Sequence, residues 1–188
     1  MNKMSNTSPQ PKTRRLYVLL TRFPGPDSTA MKCWTRFPYT HASVGLEEDL
    51  NTFYSFVVKG FIVEDISRYN KPGREPFPWA LYELEVPDAV YQKAKLIIRK
   101  FITNRANLHY NTLGMLLSLI KIPSRRQGYY FCSHFVAELL QRCDAARLNK
   151  RSTLYLPKDC SKLGGLKLIF QGDLLRMSRR FTSHPALD

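Results

Sequence analysis

The stretch Tyr129-Tyr130-Phe131-Cys132-Ser133-His134-Phe135-Val136-Ala137-Glu138-Leu139-Leu140 constrains this chain most tightly. Counting from Cys132, apolar side chains fall at Phe135, Val136, Leu139, Leu140 and Cys143, the stripe of an amphipathic helix. Ser133, Ala137, Glu138, Gln141 and Arg142 take the other side. Cys132 therefore opens the helix and shares the stripe that must be covered. Free N–H groups at a helix N-terminus carry positive partial charge and favour a thiolate. A cysteine so placed titrates at roughly 3.5–7.5 rather than ~8.5. A plain core cysteine fits the same pattern, and helix position alone leaves both readings open.

The elements before that helix read as strands. Leu16–Leu20 is a short apolar run, the mark of a central strand. Phe23-Pro24-Gly25-Pro26 breaks it, and Asp27 or Ser28 can cap a short helix through Thr35 that buries Met31 and Trp34. In Tyr39–Leu46, Ala42, Val44 and Leu46 alternate with His41, Ser43 and Gly45, so one face carries a single imidazole among small residues. Thr52–Val58 is a second strand, paired with the first as a hairpin. A loop centred near Asp49 sets Ser55 opposite Ser43, on the His41 face. Gly60–Ile66 continues the sheet, 67–79 is a proline-rich loop, and Ala80–Val86 is a further strand. Pro87-Asp88 opens a helix burying Val90, Ala94, Ile97, Ile98 and Phe101. Asn111–Ile122 is a second and more buried helix, stopped by Pro123. Beyond the Cys132 helix come a turn and short helix at Leu154–Leu163 and a last strand at Leu166–Phe170. The expected organisation is a tail over 1–14, one domain over 15–172, and a second tail over 173–188.

Four cysteines (Cys33, Cys132, Cys143, Cys160) at these spacings are neither a disulfide scaffold nor a zinc finger. Free thiols are expected, with Cys33, Cys143 and Cys160 structural, and no metal or organic cofactor. The net charge of +14 favours anionic lipid, other polyanions or an acidic partner, but no specific nucleic-acid motif accompanies it. Met115–Ile120, the most apolar window, is too short to span a bilayer. No apolar run follows the basic N-terminal residues, so the expectation is a cytoplasmic chain without a signal peptide, export by a non-classical route aside.

A thiol nucleophile needs a base, most often histidine. Of four histidines, His134 stands two positions from Cys132, about 200° around the helix, and reads as a surface residue. His184 falls in the tail, and His109 precedes a helix as a cap-region or surface residue. His41 has the clearest surroundings, although a satisfied core histidine fits there too.

The order Tyr39-Thr40-His41-Ala42-Ser43-Val44-Gly45-Leu46, then Tyr54-Ser55-Phe56, Phe131-Cys132-Ser133 and Leu156-Pro157-Lys158-Asp159 resembles the circularly permuted papain-like (NlpC-type) cysteine hydrolases. That group includes the YiiX-like bacterial proteins and, more distantly, the lecithin:retinol acyltransferase-like enzymes. The resemblance spans roughly residues 16–171, with the histidine ahead of the cysteine as in the permuted group. It implies an α+β, circularly permuted papain-like fold: a central antiparallel sheet packed against helices, with the nucleophile at a helix N-terminus. It pairs Cys132 with His41, and sets a polar orienting residue near Tyr54-Ser55-Phe56. Ser55 is that candidate, with Glu64, one strand further on, as its substitute.

The chemistry implied is acyl transfer through a thioester on Cys132, resolved by water or an amine. The Cys132 N–H is the natural oxyanion donor, with Tyr39 or Tyr130 as a second. Amide or ester bonds in a peptide, a peptidoglycan fragment or a lipid acyl group are the substrate classes, drawn in by the basic loops Ser124–Gly128 and Leu148–Arg151. Two rivals stand beside this reading: an inactive papain-like adaptor, weakened by serine at 55, and a basic module binding anionic lipid or other polyanions.

Overall fold

The run Leu16–Leu20 lies at the centre of β1 (Thr13–Thr21) and is buried on both faces, as a central strand requires. The computed structural model describes residues 12–23, 25–69 and 78–173. β1 pairs antiparallel with β2 (His41–Leu46) on one side and β5 (Pro78–Pro87) on the other. Beyond β2 lie β3 (Asp49–Val57) and β4 (Gly60–Asp65); beyond β5 lies β8 (Lys167–Asp173). Among the described residues this gives a six-stranded antiparallel sheet in the order β4-β3-β2-β1-β5-β8. A separate ladder joins β6 (His109–Tyr110) to β7 (Tyr129–Tyr130) in parallel.

Five helices accompany the sheet in the described residues: α1 (Pro26–Thr35), α2 (Asp88–Thr103), α3 (Thr112–Leu119), α4 (Cys132–Arg142) and α5 (Pro157–Cys160). The fold is therefore α+β. Leu16, Val18, Ala42, Val44 and Phe56 on one sheet face meet Tyr91, Ala94 and Ile98 of α2 and Phe135, Val136, Leu139 and Leu140 of α4. Burial of each large α4 side chain contributes about 1.5–3 kcal/mol. Tyr17, Leu19, Phe53, Trp79, Leu81 and Phe170 form a smaller cluster on the opposite face. No helix of the described residues is long and apolar enough to cross a membrane.

Several sequence expectations change. Thr13 and Arg14 belong to β1, not to the N-terminal tail. Arg14 pairs with Glu47 and Asp88 and lies 4.1 Å over the Tyr91 ring, which fixes the first strand to α2. β8 runs to Asp173, one residue past the expected boundary. The remaining tail residues, 1–11 and 174–188, lie outside the described residues, as does 70–77 of the expected loop. α1 starts at Pro26 with Gly25 as its N-cap and no side-chain cap, and it leaves Trp34 exposed.

α3 is the largest correction. The sequence reads as a more buried helix over Asn111–Ile122, yet α3 buries Gly114 and Ser118 and turns Leu113 and Leu116 outward. Asn111 caps the helix by accepting from the Gly114 N–H at 2.8 Å. Its amide occupies the space a Cβ at position 114 would need, so the small face is fixed against the cap. α4 departs in the other sense, being covered all round from Cys132 to Leu140. Ser133 Oγ donates to the Tyr155 carbonyl at 2.7 Å, and Cys160 Sγ donates to the Ser133 carbonyl at 3.7 Å. The segment leading into α5 thus covers the polar side of α4.

Candidate active site

Cys132 is the first residue of α4, preceded by Phe131 in extended conformation, and its side chain is buried against the start of β2. The sulfur hydrogen-bonds to His41 and receives the backbone N–H groups of Ala42 and Ser133. The Ser133 donor is one of the N–H groups that the first helical turn leaves free. Ala42 is available for a different reason. The β2–β3 ladder begins only at Val44↔Tyr54, so ahead of it Ala42 turns its N–H to the sulfur. Its carbonyl accepts from Ser55 Oγ at 2.6 Å.

His41 Nε2 lies 2.6 Å from Glu64 Oε1, leaving Nδ1 for the Cys132 sulfur. Ser43 Oγ donates to the other carboxylate oxygen, Oε2, at 3.1 Å. Glu64 reaches this position from β4, two strands away. Gly45, Phe53 and Glu64 stand in one cross-strand row. A Cβ on Gly45 would stand 2.7 Å from Phe53 Cε1, so only glycine lets that ring lie across β2 beside Glu64. Ser43 and Ser55, both small and buried on the same sheet face, leave the way clear from the carboxylate to the imidazole. Phe23 covers the other side of the imidazole, ring centroids 5.2 Å apart.

The electrostatics follow from these contacts. Burial works against a charged His41, but the Glu64 carboxylate, with hydrogen bonds to Cys132 and Glu64, raises its pKa to about 10. Burial also pushes the Cys132 thiol up. The hydrogen bond from His41 and its charge, with the two backbone N–H groups, outweigh that and bring the thiol below its ordinary value. A raised imidazole beside a lowered thiol favours proton transfer from Cys132 to His41, toward a thiolate–imidazolium pair.

Three expected roles are corrected. Ser55 does not touch the imidazole: its hydroxyl is spent on the Ala42 carbonyl, and Glu64 orients His41 instead. Tyr39 donates its hydroxyl to the Trp79 carbonyl at 3.3 Å, and Tyr130 donates to Glu138 Oε1 at 3.2 Å, so neither faces the sulfur as an oxyanion donor. The tyrosine near Cys132 is Tyr110. Burial, and then the charge of Cys132, push its phenol far up. The ladder Tyr110↔Tyr130 puts it beside the residues that lead into α4. Two-residue parallel strands leave no periodicity, so no sequence signal marked it.

His134 is also corrected from surface residue to core residue. It is buried, with Nε2 3.1 Å from Glu138 Oε2, and stacks on Tyr130 at 4.8 Å. His109 is exposed against Tyr129, and His184 lies outside the described residues. Cys143 and Cys160 are buried free thiols and Cys33 an exposed one. Among the described residues, no group of three or more His, Cys, Asp or Glu side chains is placed to hold a metal ion.

Cys132, His41 and Glu64 thus form one buried chain, from a thiol at a helix start to a carboxylate two strands away. No protein-family model matches the sequence, and no curated protein matches it at a significant level.

Proposed function

We propose that this protein is a cysteine hydrolase acting on amide or ester bonds, with Cys132 as nucleophile, His41 as acid and base, and Glu64 as the residue that orients His41. The buried Cys132–His41–Glu64 chain carries the reading. The Cys132 thiolate attacks a carbonyl carbon, and its electron pair forms the C–S bond as the carbonyl π pair moves to oxygen. The Cys132 backbone N–H and the Tyr110 hydroxyl receive that oxyanion. His41 then gives its Nδ1 proton to the departing amine or alkoxide, leaving a thioester. Water attacks the thioester with His41 as base, releasing the acid and restoring the thiolate–imidazolium pair.

The histidine strand ahead of the cysteine helix, with α2 and α4 packed on one face of an antiparallel sheet, supports a circularly permuted papain-like arrangement. The adaptor alternative rested on a weak serine at position 55, and Glu64 on the imidazole removes that ground. The test is mass spectrometry of the protein incubated with acyl-amide and acyl-ester probes, from peptides to lipids. A Cys132-linked thioester that turns over in wild type supports the reading. Absence of any adduct across both probe sets, with Cys132 still reacting readily with iodoacetamide, would favour the adaptor.

A further inference from the structure

α3 is built inside out. Leu113, Leu116 and Ile120 follow one another at helical spacing and are 65, 52 and 57% exposed. The helix carries no charged residue at all. It ends at Lys121 in the left-handed region (φ 62°), where the Ile122 N–H returns to the Leu117 carbonyl at 2.9 Å. That closing turn holds Ile122, itself largely exposed, beside the end of the helix. Across a cleft of about 390 Å³, lined by Ser118, Leu119, Lys121, Lys150 and Lys158, stands Trp34, 63% exposed. Five large apolar side chains therefore stand in water along one side of the molecule, where a monomer ordinarily shows few together.

The rim of this face is cationic. Lys121 and Lys158, both lining the cleft, have no acidic partner among the described residues. The acidic side chain lining the cleft, Asp159, is held by Lys150 at 2.9 Å.

We propose that the α3 face, with Trp34, docks this protein on an anionic membrane surface. Leu113, Leu116 and Ile120 enter the boundary between headgroups and acyl chains, and Lys121 and Lys158 meet the lipid phosphates. Trp34 lies at the headgroup level, where an indole with one wet edge is favoured. Charge selects this occupant over a second copy. Pairing two such faces would bring two cationic rims together in a chain that already carries +14. The proposal is independent of the chemistry at Cys132.

The experiment uses the full chain with vesicles of phosphatidylcholine, with and without phosphatidylserine. Trp34 reports directly, because the other tryptophan, Trp79, is buried. The expected result is co-sedimentation with the phosphatidylserine vesicles and a blue shift of tryptophan emission, both weakened by salt. Leu116→Ser with Ile120→Ser replaces exposed side chains, so the fold survives. It should lower vesicle affinity about tenfold or more and abolish the blue shift. Lys121→Ala should cost about fivefold. Absence of binding at low ionic strength overturns the proposal. So does binding indifferent to Leu116→Ser/Ile120→Ser, which would be the diffuse attraction of a basic chain. A dimer in lipid-free sedimentation that dissociates in the same variant would assign the face to a second copy and likewise overturn it.

Discussion

The described residues contain two buried histidine–glutamate pairs, and among them one meets a cysteine sulfur. In the first, His41 and Glu64 come from strands two apart, 2.6 Å between nitrogen and oxygen, with the Cys132 sulfur on the other ring nitrogen. In the second, His134 and Glu138 sit one turn apart on α4, and Nδ1 of His134 is buried without a hydrogen-bond partner. Each pair has its tyrosine. Tyr110 stands by the sulfur of the first, while Tyr130 donates to Glu138 in the second, and the two are neighbours in the β6–β7 ladder. Glu138 is further saturated by Ser152 at 3.4 Å and Arg142 at 3.6 Å. Burial pushes its carboxyl up, but His134, Arg125 and Tyr130 hold it below the usual carboxylate value. An imidazole and carboxylate in the core are thus not enough for chemistry. What separates the pairs is a sulfur held on the imidazole's second nitrogen by two backbone N–H groups.

The comparison breaks most sharply at His41. His41→Ala leaves Cys132 as a buried thiol with only backbone donors. At pH 6 an ordinary thiol is about 0.3% ionised. Iodoacetamide labelling of Cys132 should therefore fall about tenfold or more, while Cys33, Cys143 and Cys160 are unaffected. Equal rates in wild type and variant would remove the ion pair. Tyr110→Phe should act on a different step. Loss of one oxyanion donor costs about 10²–10³-fold in acylation, yet the thiolate persists. Thioester formation should collapse with alkylation nearly unchanged, and a parallel loss of both would place Tyr110 outside the oxyanion site.

Glu64→Gln should have a smaller effect with a distinctive pH signature. In wild type the His41 proton is lost only near pH 10, because the Glu64 carboxylate overcomes the burial that disfavours its charge. The acylation profile should then fall on the acid side through the lowered thiol value and on the alkaline side near 10. With glutamine the alkaline limb moves to lower pH, since burial is left opposed by Cys132 alone. The rate should drop roughly tenfold or more, short of the 10²–10⁴ typical of removing the proton-transfer group itself. Stability follows the same sign. The raised His41 value stabilises the fold fully below about pH 6.5, and that contribution fades as pH rises through about 10. Thermal unfolding across that range, wild type against Glu64→Gln, checks it; an unmoved alkaline limb would mean that Glu64 does not set the His41 proton.

Much of this was legible in residue order, and the failures have physical causes. Strand alternation isolated His41 among small side chains, and the helical stripe put Cys132 on the covered face. Burial of the far side of α4 was not legible, because a stripe records one covered face and says nothing of a loop returning over the other. Ser55 stands ahead of Glu64 in the sequence reading because the family resemblance sets the orienting residue on the strand next to His41, whereas a glutamate spans a further strand when the residues between are serine. α3 misled for a related reason. Hydropathy measures what a helix wants to bury, while the Asn111 cap and Gly114 decided which face could approach the core.

The smallest effect on Cys132 belongs to the second pair, and it is the control that gives the others meaning. His134→Gln removes the imidazole that stacks on Tyr130 and leaves Glu138 with Tyr130, Ser152 and Arg142. Losing one partner of a buried pair costs about 3–5 kcal/mol where the other charge is stranded. Here the remaining donors and a glutamine amide should hold the loss to about 1–3 kcal/mol, read as a lower denaturant midpoint. Glu138 is held low in the folded chain, so its stabilisation is present above the unfolded carboxyl value and disappears as pH falls through the folded one. His134→Gln should weaken that acid-side dependence. Cys132 alkylation in the folded variant should match wild type within about twofold, because neither member of the second pair touches the sulfur. A loss of labelling like that of His41→Ala would mean the two pairs are coupled through the first turns of α4, and the division between a reactive pair and a structural one would have to be abandoned.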